Sequence, residues 1–131
     1  MTVLAICGSR TFHNYARLKQ ELLARYKTLA DITEIRVGGK GTDYPGEPQR
    51  GTATLGKRLA DELGILCRVV EPDWKRFGGG AGPIHTPFII DPADKVFAAW
   101  EGASPGTFGE IEYAKAKGKP VEVFRFDQDL L

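Results

Sequence analysis

Little in this chain points outward to a membrane, a metal or a disulfide framework. Its 131 residues hold two cysteines, two histidines and one methionine. Cys7 and Cys67 both lie inside apolar runs and read as buried free thiols. Two histidines and two scattered cysteines make no metal-ligand spacing, so no metal site is expected. No apolar segment is long enough to span a bilayer. The start, MTVLAICGSR, has neither a basic stretch nor an extended apolar core, so no secretory signal is read there. With no signal and no disulfide framework, the expected compartment is the cytoplasm. Charge of one sign is lacking too. Eighteen basic and seventeen acidic residues leave a net charge of +1. Such a balance gives no electrostatic footprint for nucleic acid or for an anionic membrane.

What the chain does have is an alternation of short apolar runs and amphipathic segments. Its hydrophobic content of 42% suffices for one core, and its length is that of one domain, residues 1–131. Val3–Cys7 is an unbroken apolar run and reads as a buried strand. Further strands are expected at Glu34–Val37, Ile65–Val70, within Ala93–Trp100 and within Pro120–Phe126. Helical spacing predicts helices over Tyr15–Tyr26, with Asn14 as N-cap, and over Thr54–Leu63, stopping at Gly64. A third is expected over Thr107–Lys117. Strand and helix alternate throughout, which predicts an α/β fold of Rossmann-like, doubly wound type. Its sheet would be mainly parallel, with about five strands. Two Gly- and Pro-rich stretches, Gly38–Gly51 and Pro72–Pro87, read as long loops.

Glycines gather where such a sheet binds ligands, beyond the carboxyl ends of its strands. Gly8-Ser9-Arg10 follows the first strand. Its glycine admits a close approach, and Ser9 and Arg10 add donors suited to phosphate, although a plain turn explains three residues equally well. Gly38, Gly39 and Gly41 follow the second strand, with Asp43 placed to accept from a ribose hydroxyl or to cap a turn. Asp73 and Trp74 follow the third, where an indole either stacks on a base or anchors the loop. Gly51–Arg58 nearly fits a Walker A loop, but Arg58 stands where Ser or Thr should hold magnesium. His85, and less so His13, lies near these loops, and each reads most simply as structural or solvated.

The last strand end carries Ser104-Pro105-Gly106-Thr107-Phe108-Gly109-Glu110. Thr107 and Glu110 have the spacing of a capping box, which explains that pair without a ligand. Ser104, Pro105 and Gly106 put bare backbone at a helix start, where free N–H groups suit a phosphate. A carboxylate aimed at that phosphate would repel it, so a functional Glu110 should face a sugar hydroxyl or a water.

Taken in order, "GSRTF", "VGGKGTD", "EPDW", "GGAGPI", "ADKVFAAWEG", "SPGT" and "KGKPVEV" span nearly the whole chain. This series resembles the DprA/LOG-like (SLOG) superfamily, its YspA/YpsA-related branch above all. The resemblance implies a Rossmann-type domain that binds a nucleotide or nucleotide-derived ligand without a further cofactor, and a homodimer. Its LOG enzymes are phosphoribohydrolases with the pattern PGGxGTxxE. By that resemblance Glu110 falls on the catalytic glutamate, while Ala103-Ser104-Pro105 replaces the upstream glycines. The family's arginine has no secure counterpart; Arg10 is a candidate by chemistry alone. The reading is thus a nucleotide-binding or sensing module, with an N-glycosidase as the alternative. Single-stranded DNA binding, by analogy with the DprA arm, is disfavoured by the near-zero charge.

Overall fold

Strand β1 spans Thr2–Gly8, and Leu4, Ala5, Ile6 and Cys7 are all buried within it. A strand covered by helices on both faces needs apolar side chains at every central position, which is why the run is unbroken. The computed structural model describes residues 1–26, 29–38, 51–71, 74–78 and 81–126, the side chains of residues 74, 81 and 82 excepted. The other strands are β2 (Ile32–Gly38), β3 (Leu66–Val70), β4 (Lys95–Trp100) and β5 (Val121–Arg125). All pair in parallel, in the order β3-β2-β1-β4-β5. The architecture is therefore the expected α/β fold, a five-stranded parallel sheet with helices on both faces.

Helix α1 (Tyr15–Arg25) begins at Asn14, whose side-chain oxygen accepts from the Arg17 N–H at 3.0 Å. Helix α2 (Thr52–Leu63) ends at Gly64 in the left-handed conformation, φ 68°. Both pack on one sheet face against Leu4, Ile6, Ile35, Val37 and Phe97. The other face carries α4 (Ala81–Ile90) and α5 (Pro105–Ala116) over Ala5, Cys7, Val96 and Ala98. Among the described residues no helix is long and apolar enough to cross a membrane.

The main correction concerns Pro72–Pro87, expected as a loop. The short helix α3 (Trp74–Phe77) and most of α4 lie there. Pro83 is the third residue of α4, where an N–H would have no partner within the helix anyway. Pro87 lies inside it, near an end that is held from outside. There the Asp91 N–H donates to Pro87 O at 2.9 Å, and Arg36 Nη2 donates to Phe88 O at 2.9 Å. Those bonds satisfy carbonyls that any helix end leaves open. Residues 39–50 of the other expected loop lie outside the described residues.

Candidate functional site

The strand order runs outward from β1 in one direction and from β4 in the other, so the switch point lies between their carboxyl ends. Gly8 sits opposite Ala99 there, and the Ser9 N–H donates to Ala99 O at 2.9 Å. A Cβ on Gly8 would strike that carbonyl and meet Thr52 Oγ1 at 2.6 Å. The glycine is thus required by the protein's own packing. Thr52 opens α2, and its hydroxyl donates to Ser9 O at 3.0 Å. The Gly51 N–H donates to Phe12 O at 2.8 Å. These bonds fix the Ser9-Arg10 turn between β4 and the start of α2. Ser9 is 2% exposed, yet its Oγ has no hydrogen-bond partner. Buried hydroxyls are normally satisfied, and the acceptor near this one is the Glu101 carboxylate.

Helix α5 starts differently from the sequence expectation. Its N-cap is Ser104, not Thr107, and Pro105 takes the first helical position. Ser104 Oγ accepts from the Thr107 N–H at 3.4 Å and from Thr107 Oγ1 at 3.2 Å. Proline's fixed φ pulls the start two residues forward, and the capping-box role of Glu110 disappears with it. Trp100 pins this turn, its Nε1 donating to Ser104 O at 3.1 Å. Glu101 accepts from the backbone N–H groups of Ala103 and Ser104. Burial pushes the Glu101 carboxyl up, but the nearby Ser9 hydroxyl and these N–H groups outweigh it and hold it below the usual range. Ser9 stands close enough to favour that charge without meeting the geometry of a hydrogen bond.

Freed from capping, Glu110 is half-buried between α5 and the end of β1. Burial pushes its carboxyl up to about 7, while the nearby Cys7 thiol and the Arg10 charge pull the other way. Cys7 is itself raised well above the ordinary thiol range, by burial first and then by Glu110. It is therefore a neutral thiol, not a nucleophile. Near neutral pH, Glu110 is divided between its two protonation states, the condition that suits a general acid or base. Gly106 lies in the first turn of α5, and a Cβ there would meet nothing within 4 Å. That turn is open, and the Gly106 N–H has no acceptor within its own helix.

The structure thus brings together Gly8, Ser9, Arg10, Ser104, Gly106, Thr107 and Glu110 at one sheet edge. Gly38 closes β2 one strand away, packed under α4; a Cβ there would strike Ile89 and meet His85 Nε2 at 2.8 Å. Gly39, Gly41, Asp43 and Asp73 lie outside the described residues, and Trp74 is placed only as the first residue of α3. His13 is exposed, its Nδ1 3.1 Å from Thr11 O. In the Walker-like stretch, a Cβ on Gly56 would lie 3.1 Å from Val37 and 3.2 Å from Ile6, so that glycine serves helix–sheet packing. Sequence reasoning did not include Cys7 and Thr52. The signal for Cys7 was its place directly before Gly8, facing opposite to Ile6. Among the described residues, no three His, Cys, Asp or Glu side chains are grouped to hold a metal. Compared with protein-family models, with curated proteins and with solved structures, the chain finds no match.

Proposed function

We propose that this chain binds a nucleotide or nucleotide-derived ligand at the β1/β4 edge, as a binding or sensing module. One observation carries the reading: an open helix start at Gly106 beside the Ser9-Arg10 turn, with a partly charged Glu110 one step inward. The phosphate takes the Gly106 N–H, the Ser9 hydroxyl and the Arg10 guanidinium. Glu110 faces the ribose, since a carboxylate against the phosphate would repel it. The resemblance to the SLOG superfamily agrees with this arrangement and adds a homodimer, which light scattering after size exclusion tests.

A thermal-shift series with mono-, di- and cyclic nucleotides and NAD-derived signals is the direct experiment. A stabilising ligand recovered intact by chromatography, and lost on Ser9→Ala, is the expected result. If no nucleotide raises the melting temperature, the reading fails. The titration of Glu110 near neutrality favours one second reading, hydrolysis of a nucleoside monophosphate. Water would add to the anomeric carbon as its bond to the base breaks, and the departing base would take the proton. Glu110 would stabilise the developing oxocarbenium and polarise the water. Base release abolished by Glu110→Gln supports this step. Release at the wild-type rate removes Glu110 from it.

A further inference from the structure

A cavity of about 390 Å³ opens beside α3 and α4 at the carboxyl end of β3. Helix α4 packs against β2 and β3 and, on its other flank, against α5, so it stands between this cavity and Glu110. The walls are apolar and partly aromatic: Val70 from β3, Phe77 from α3, and Ile84 and Phe88 one turn apart on α4. Phe77, Ile84 and Phe88 are exposed, Phe88 by 62%, so none of them is spent on the core.

Arg36, Glu71 and His85 supply the polar groups of the lining. Arg36 Nη2 is held by Phe88 O at 2.9 Å, and Nη1 lies 3.5 Å from Glu34 Oε2. Its charge is thus answered within the protein, and the cavity does not select a free anion. Glu71 is exposed and offers acceptors. A cleft of a few hundred Å³ with aromatic walls and a carboxylate acceptor matches a flat molecule bearing N–H groups.

We propose that this cavity binds a planar nitrogen heterocycle of nucleobase size, stacked on Phe88 and bonded to Glu71, as a site separate from the β1/β4 edge. It does not depend on the nucleotide reading above, because its occupant needs no phosphate.

The test uses adenosine, guanosine, cytidine and uridine, which lack the phosphate that the other site would hold. Each is titrated into the ¹⁵N-labelled full chain, and backbone amide shifts are followed. The expected result is saturable shifts at Val70, Glu71, Phe77 and Ile84 with at least one nucleoside. Phe88→Ala should weaken that binding about 10-fold or more, the loss expected from one stacked ring, and Phe88→Tyr should preserve it. Since Phe88 is largely exposed, the alanine variant keeps its fold, as its spectrum will report. Glu110→Gln should leave these shifts intact, which separates the two sites. No shift at these residues with any nucleoside overturns the proposal. So do shifts confined to Ser9, Thr107 and Glu110, binding indifferent to Phe88→Ala, or shifts that follow protein concentration alone and so report a second copy on this face.

Discussion

Phe97 and Ala98 are neighbours on β4, both fully buried, and they face opposite sides of the sheet. On the Phe97 side the core is built of large groups. Leu4, Ile6, Ile35, Leu55 and Leu59 meet a cluster in which the Phe12 ring lies 4.8 Å from Phe126 and 5.9 Å from Phe124. On the Ala98 side the strands offer Ala5, Cys7 and Ala98, and α5 answers with Ala114. Small side chains let α5 come close enough for Glu110 to meet Cys7 across the layer. The aromatic cluster lies on one face, and the candidate chemistry on the other.

The largest expected effect breaks the first half of that contrast. Phe97→Ala leaves a void in the layer between the sheet and helices α1 and α2, and also removes a ring that the Arg25 guanidinium overlies at 5.5 Å. A loss of about 3–5 kcal/mol is expected from urea unfolding. If this variant costs no more than an enlargement at Ala98, the two faces are not unequal and the contrast is wrong.

Next comes the pH dependence that the other face imposes. A carboxyl raised from 4.5 to about 7 holds its proton more tightly in the folded chain than in the unfolded one. The stability it contributes is fully present below pH 4.5 and is lost as the pH rises to about 7. The loss is about 3 kcal/mol. Glu21 and Glu101 are shifted the other way and gain stability over the acid range, so the wild-type curve alone mixes opposite trends. The difference from Glu110→Gln isolates the term. Relative to wild type, the variant should gain stability between pH 4.5 and pH 7 and stay level above that. Parallel stability curves would mean that Glu110 sits in water like any surface acid.

Ala98→Leu sharpens the same point from the packing side. Extra methylenes in a closed layer cost about 1–3 kcal/mol. They also push α5 away from β1, so water reaches Glu110 and its carboxyl falls toward the ordinary range. A ¹³C titration of the Glu110 side chain in this variant, against wild type, reads that fall. An unchanged titration would show that the closeness of α5 does not govern the acid.

How far the sequence carried this picture follows from the same inequality. Short stretches rich in apolar and β-branched residues mark strands, unbroken in Val3–Cys7 and interrupted by charges in β2, β3 and β5, so all five were legible. The parallel order followed from their alternation with amphipathic helices. Helix α4 was hidden because Ile84, Phe88, Ile89 and Ile90 give it no polar face and two prolines mimic a loop. The gathering of Ser9, Gly106, Thr107 and Glu110 at one edge was legible from strand ends. The contact of Glu110 with Cys7 was not. It joins β1 to α5 through tertiary packing alone, and a local capping box offered the carboxylate a competing role.

That competing role yields the smallest and most local test. If Ser104 is the cap, its hydroxyl satisfies the Thr107 N–H and its removal leaves that donor open at the start of α5. Ser104→Ala should then cost about 1 kcal/mol, and Ser104→Gly only a few tenths, since glycine reaches the extended cap conformation and lets water in. In a capping box centred on Thr107, the same alanine would be nearly silent and Glu110→Gln would weaken the helix start at every pH. The structure expects the reverse. The Ser104 variant should lose its increment at all pH values, because no titrating group makes the capping bond. The Glu110 variant should differ from wild type only where the carboxyl ionises. Two melting series across pH therefore decide whether Glu110 belongs to the helix start or to the edge of the sheet.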